Sequence, residues 1–304
     1  MMSPPVLLLA FNRPEATRAV LDALRRVQPG QVYFAVDGPR AGRIDEVGSV
    51  AAVQALAGSI DWPCRISTLF RDTNLGCKRA VSEAITWFFS EVEAGIILED
   101  DCVPDPSFFP FCAELLARFA DDERVAMISG DNFQFGRQRT GYSYYFSHFP
   151  HIWGWATWRR AWAGYDHGMT IWPEIRDGDW LLDIFGSERS VRFWRSVLDD
   201  THADRNSSWA YRWAFALWVN HRLVVLPNVN LVTNIGVGAG ATNTVARRNP
   251  FVALPALELG FPLRHPPYVV RDTAADRRTE RSMFLGEPLW RRVARRVTAS
   301  LEAA

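Results

Sequence analysis

The sequence predicts an α/β protein with a mostly parallel, doubly wound central sheet flanked by helices. Short apolar runs alternate with segments of helical periodicity over about the first 130 residues, the pattern of strands joined by crossover helices. The runs are apolar at nearly every position, as expected of strands covered on both faces. One of them, Gly95-Ile96-Ile97-Leu98, delivers three consecutive acids, Glu99-Asp100-Asp101, before Pro104 stops the segment. Ligands of open α/β sheets gather outside the carboxyl ends of the strands, so these acids mark a site.

The first strand covers Val6 to Phe11 and runs into Asn12-Arg13-Pro14-Glu15. Asn12 is expected as a helix cap, with Glu15 three residues on completing a capping box and Pro14 in the first turn. Ala16, Val20, Leu24 and Val27 then recur at helical spacing. A second strand, Val32 to Val36, ends in Asp37-Gly38, where the acid reads either as a plain turn residue or as a group that meets a base or ribose. A helix over Ile44 to Leu56 and a third strand over Cys64 to Phe70 follow. The next helix opens at Gly76, with Lys78 and Arg79 in its first turn. Free N–H groups at that start make a diphosphate cradle, and cations placed against the helix dipole ask for an anion nearby. After the acids, Phe108, Cys112, Leu115 and Phe119 share a helical stripe, and Val125 to Ile128 forms another strand.

Three adjacent carboxylates repel one another, so gathering them at a strand tip requires a cation or a network of donors. Oxygen-only ligands suit Mg²⁺ or Mn²⁺, and Mg²⁺ is usually held by one or two carboxylates together with substrate phosphates. A divalent ion and a nucleotide are therefore expected, with a solvated acidic turn as the alternative.

Composition narrows the classes. The 304 residues, 48% hydrophobic, can bury a substantial core. Thirty-four acidic residues balance thirty-four basic ones, so no nucleic acid partner is expected. Lys78 is the single lysine. Cys64, Cys77, Cys102 and Cys112 show neither zinc spacing nor a disulfide framework, which suits a reducing compartment. The run Val6 to Phe11 is too short for a signal-peptide core or a membrane span, and a cytoplasmic location is expected.

The texture changes after residue 150, because ten of the thirteen tryptophans lie between Trp153 and Trp218. An indole face with its polar N–H edge matches a pyranose, although roughly two in three of these rings are expected to be packing residues. The glycine-rich stretch Gly236 to Thr242 follows no βαβ unit and reads as a lid, not as a dinucleotide fingerprint. Residues from Asn243 to Pro288 read as an irregular tail. Leu289, Val293, Val297 and Leu301, with arginines on the other faces, form a basic amphipathic helix that either lies on the inner membrane face or docks on the domain.

In this order, Ala10-Phe11-Asn12-Arg13-Pro14, Asp37-Gly38, Asn74-Leu75-Gly76, Glu99-Asp100-Asp101 with Phe108-Phe109, Trp153-Gly154-Trp155 and the Asn228 to Thr244 segment resemble GT-A fold nucleotide-sugar glycosyltransferases. The resemblance is to bacterial family 2-like enzymes related to N-acetylglucosaminyltransferase I. It implies a GT-A domain over residues 1–245, with a nucleotide-binding half (1–132) and an acceptor-binding half (133–245), and a tail over 246–304. It also implies inverting, Mn²⁺- or Mg²⁺-dependent transfer of a hexosyl or N-acetylhexosaminyl group from a UDP-sugar to a hydroxyl of a carbohydrate or other acceptor. Phe11, Asn12 and Arg13 would line the nucleotide pocket, Asp37 would lie near the base, and Gly76, Lys78 and Arg79 near the ribose and diphosphate. Asp101 would bind the metal, Asp100 and Glu99 would contact ribose and donor sugar, and Trp153, Gly154 and Trp155, with Trp209, would wall the sugar or acceptor pocket.

The chain departs from this family at one position. Related enzymes carry an Asp after the tryptophan that opens the late helix, whereas this chain has Trp209-Ala210-Tyr211, and Ala210 cannot take a proton. Three readings stay open: an inactivated variant, a substitute base such as Asp204 or Asp200, or a protein that binds sugar or nucleotide without turnover. A sugar nucleotidyltransferase would share the sheet and the acidic motif, but the N-terminus lacks its Gly-rich, Arg/Lys-containing loop.

Overall fold

Three strand–helix units and a fourth strand lead to the acids in this structure, a computed structural model that describes residues 3–236 and 250–286. They are β1 (Val6–Ala10), α1 (Pro14–Val27), β2 (Gln31–Val36), α2 (Ile44–Ala55), β3 (Arg65–Phe70), α3 (Gly76–Glu91) and β4 (Ala94–Glu99). The chain continues through β5 (Cys102–Pro104), α4 (Phe108–Arg118), β6 (Val125–Ser129), β7 (Tyr144–Ser147) and β8 (Trp155–Trp158). Five helices follow, α5 (Arg159–Trp162), α6 (Trp172–Asp177), α7 (Trp180–Phe185), α8 (Glu188–His202) and α9 (Ala210–Val219), then β9 (Leu223–Pro227), β10 (Val232–Asn234) and α10 (Thr273–Thr279).

Eight strands form one sheet in the order β3-β2-β1-β4-β8-β6-β9-β7. β8 and β7 run antiparallel to their neighbours and the other six share one direction, so the sheet is mostly parallel, as the sequence predicts. Val6 to Leu9 and Ile96 to Leu98 are buried throughout, which confirms that both faces of the central strands are covered. Each such side chain contributes about 1.5–3 kcal/mol by leaving water. β5 and β10 form a separate antiparallel pair directly after the acids.

Close packing leaves no room for a side chain at Gly95 in β4. A Cβ there would stand 2.7 Å from Cε1 of Phe88 and 2.8 Å from the carbonyl of Pro5. Gly95→Ala is therefore expected to lower stability by about 1–3 kcal/mol, read as an earlier denaturant midpoint. An unchanged midpoint would show that the α3–β4 contact is loose.

Several expectations are corrected. Asn12 does not cap α1; Arg13 occupies the cap position without a side-chain cap bond, and Pro14, whose nitrogen needs no partner, starts the helix. Trp155 and Trp209 are core residues and not pocket walls, being 0% and 2% exposed. Trp155 lies in β8 between β4 and β6, where its ring stacks on Trp209 at 5.8 Å and approaches Trp213 at 5.9 Å. A central strand position buries any large ring it carries, whatever that ring could bind elsewhere. The tail is not wholly irregular: α10 runs into a π-helical turn, Glu280–Phe284. Buried Glu280 accepts hydrogen bonds from Ser190 Oγ and Trp194 Nε1 at 2.9 and 3.0 Å and anchors that turn to α8. The glycine-rich stretch after Gly236 and the basic amphipathic segment lie outside the described residues. Among the described residues no helix is long and apolar enough to cross a membrane.

Candidate active site

β2 and β3 lie to one side of β1 and β4 to the other, so the strand order reverses between β1 and β4. At such a switch point the loops after the two strands part and leave a crevice at their carboxyl ends. The loop after β1 carries Phe11, Asn12 and Arg13, and the turn after β4 carries Asp100 and Asp101. Arg13 joins them. Its guanidinium hydrogen-bonds Asp100 and pairs with Asp101 Oδ2 at 2.9 Å. The Phe11 N–H also donates to Asp100 Oδ2 at 3.4 Å. Burial works against the charge on Arg13, but Asp100 and Asp101 outweigh it and raise its pKa.

One guanidinium does not balance three carboxylates. Burial pushes the Asp100 carboxyl up to about 6 in spite of Arg13. Burial, then Asp101 and Asp100, push Glu99 up to about 8. Glu99 is only partly buried, and among the described residues no group donates a hydrogen bond to it.

The second strand pair fixes Asp101. Ile235 N–H donates to its carbonyl at 2.8 Å, and Asn234 Nδ2 donates to its Oδ1 at 3.3 Å. Asn234 pairs with Cys102 in the β5–β10 ladder, and Gly236 lies against the Asp101 carboxylate. Sequence reading missed Asn234 and Gly236 as site residues, since their partner is more than 130 positions away. A glycine opening a glycine-rich stretch was the available signal.

Among the described residues no three His, Cys, Asp or Glu side chains form a ready-made metal cage. A cation shared with a diphosphate needs only one or two protein carboxylates. An all-oxygen cluster in which Asp100 and Asp101 share one guanidinium fits that kind of site. Asp101 is the residue that would hold it, fixed as it is by Asn234 and the β5–β10 pair.

The start of α3 differs from the diphosphate cradle expected there. Asp37, at the end of β2, accepts N–H bonds from Gly38, Leu75 and Gly76 at 3.0, 3.0 and 3.1 Å and a bond from Asn74 Nδ2 at 2.9 Å. Burial nonetheless raises its pKa, against those donors. Its carboxylate is thus the anion at the positive end of α3. Both Asp37 oxygens are occupied by its own chain, which corrects the expectation that it reads a base. Arg79 pairs with Glu83 at 2.9 Å on the exposed face of α3. Lys78 pairs with Asp204, which also accepts from Arg212 at 2.7 Å. Hydrogen bonding by Lys78 pushes the Asp204 carboxyl down, so Asp204 as it stands is a weak proton acceptor.

Ala210 is the first residue of α9, has no acid in the turn that follows, and packs against the main core. Trp153 is the one tryptophan of the predicted wall that is partly exposed. Its backbone N–H donates to Asp131 Oδ2 at 3.0 Å. Gly154 takes φ +77°, a conformation suited to glycine, and a Cβ there would stand 3.2 Å from Leu98 next to the acids.

No family model matches the sequence, and no curated protein matches it. Structural likenesses are weak. Mouse xyloside xylosyltransferase 1 in its apo form is similar with a TM-score of 0.33 and 12% identity, over 72% of this chain and 82% of that one. HddC from Yersinia pseudotuberculosis gives 0.31 and 9%, over 52% and 77%. The inositol-1-phosphate CTP transferase from T. maritima gives 0.29 and 9%, over 54% and 74%. The functional reading therefore rests on the site itself.

Proposed function

We propose that the protein is a glycosyltransferase that moves a sugar from a nucleoside diphosphate donor, a UDP-sugar in the first instance, to an acceptor hydroxyl. The observation that supports this best is the position of Glu99, Asp100 and Asp101 at the β1–β4 switch point, where Arg13 is the one cation paired with them among the described residues. Phe11 and Asn12 would line the nucleotide. Arg13, held in place by Asp100, would set a fixed positive charge beside the departing diphosphate. A divalent cation at Asp101, when bound, would supply further stabilisation of the leaving group. Glu99, whose carboxyl accepts no bond among the described residues, would meet the sugar. Trp153 would offer an apolar face. A second reading, binding without turnover, is favoured by Ala210, where the residue implied as base is a methyl group packed on the core.

Calorimetric titration with UDP tests the proposal. Affinity is expected to fall roughly tenfold or more when Mn²⁺ is chelated and in Asp101→Ala. Equal affinity in all three cases would sink it. Sugar release by Ala210→Asp but not by the unaltered chain would identify a disabled enzyme, whereas binding without turnover in both would favour the second reading.

A further inference from the structure

Lys78 is the chain's single lysine, and its ammonium is engaged. Its partner Asp204 lies in the turn between α8 and α9, 126 positions away in the chain. The same Oδ1 of Asp204 accepts a hydrogen bond from Arg212 Nη2 at 2.7 Å. Arg212 is 2% exposed and immobilised, donating also to the carbonyls of His167 and Thr201 at 2.8 Å and of Ser208 at 3.0 Å. Asp204 has φ +60°, which costs energy in a non-glycine residue unless the surroundings enforce it.

Two cations on one carboxylate are one more than charge balance requires. Arg212, fixed by its three carbonyl bonds, is the permanent partner. Lys78 is the exchangeable one, because its stem is flexible and the Asp204 side chain it reaches is 61% exposed. Two residues before Lys78, Gly76 donates its N–H to Asp37 at the carboxyl end of β2 at 3.1 Å, so the first turn of α3 opens on the same edge of the sheet as the acids. Lys78 leaves that edge paired with a carboxylate supplied by a distant turn.

We propose that Asp204 is a built-in counter-ion that holds, on Lys78, the place of the donor's diphosphate, and that the donor binds by displacing it. This inference rests on the reading of the crevice as a nucleoside diphosphate site. An exposed ammonium–carboxylate pair is worth only about 0–1 kcal/mol, so a diphosphate, with more charge and more acceptor oxygens, wins the exchange. Arg212 keeps Asp204 paired after Lys78 has left.

A chain with one lysine allows a direct test. Reductive ¹³C-methylation gives one ε-dimethylamine resonance besides that of the N-terminus. That resonance is expected to move when UDP and Mg²⁺ are added, and to start from a shifted position in Asp204→Asn. Asparagine keeps the bond to Arg212 and tolerates the left-handed backbone. By calorimetry Asp204→Asn is expected to bind UDP about two- to fivefold more tightly, and Lys78→Met in that background is expected to remove the gain. UDP binding that leaves the resonance in place, with no gain in Asp204→Asn, overturns the displacement and leaves the functional proposal standing. If neither chain binds UDP, both fall.

Discussion

Gly236→Ala is expected to weaken divalent-dependent UDP binding roughly tenfold or more while the sheet stays folded. The added Cβ would press into Asp101 Oδ2, standing 2.8 Å from its Cγ and 3.1 Å from Asn234 Oδ1. Neither side can yield freely. The Gly236 N–H is bonded to Asn234 Oδ1 at 2.8 Å, and the Ile235 N–H to the Asp101 carbonyl at 2.8 Å. The carboxylate must therefore turn off Arg13, or the β5–β10 pair must slip. Either change should weaken UDP binding in the presence of Mn²⁺ roughly tenfold or more, for about 1–3 kcal/mol of stability. Calorimetry and denaturant unfolding of the same variant separate the two effects. Unaltered affinity would show that Asp101 is not where the nucleotide and its cation meet.

His151→Phe is expected to gain stability over the unaltered chain as the pH falls. His151 is 3% exposed, its Nε2 has no hydrogen-bond partner among the described residues, and burial pushes the imidazole down to about 3. In the unfolded chain the ring titrates near 6.5. Between these two values the unfolded chain takes up the proton and the folded one does not. The proton linkage of this histidine is therefore negligible above about pH 7 and withdraws stability as the pH drops from 6.5 towards 3, about 2 kcal/mol between pH 7 and 5. Glu99 and Asp100, whose pKa values are raised, act with the opposite sign over part of this range, so the prediction concerns the difference between the two chains. Phenylalanine fits the ring's place, 4.5 Å from Phe133, without an unpaired nitrogen. Denaturant unfolding of both chains at pH 7 and 5 gives the difference. A pH-independent gap would mean that His151 reaches water or a proton partner in the folded state.

The strands around the acids were legible because both faces of β1, β2 and β4 are covered and their runs are almost purely apolar. The acidic tip was legible because three carboxylates in a row have few uses. What balances them was not, since Arg13 meets Asp100 across 87 positions and periodicity carries no record of that pairing. Asp37 illustrates the same limit: its Asp-Gly turn allowed both readings, and only the third unit, folding back, brings Leu75 and Gly76 onto its oxygens. The tryptophans were ambiguous for a chemical reason. An indole that would stack on a sugar is also the largest apolar side chain available to a core, and only pairing with β4 and β6 decides which role Trp155 plays.

The insertion of β8 between β4 and β6 has a bearing on synthesis at the ribosome. β6 emerges within the first 132 residues, yet its sheet neighbours, β8 and β9, are still to be translated. A nascent chain of that length carries bare edges on β4 and β6, which invite pairing with other chains unless they are shielded. The sheet becomes continuous beyond β4 only when residues 155–158 slot into the gap. Split pieces cut near residue 132 should accordingly fail to hold nucleotide singly and regain it on recombination.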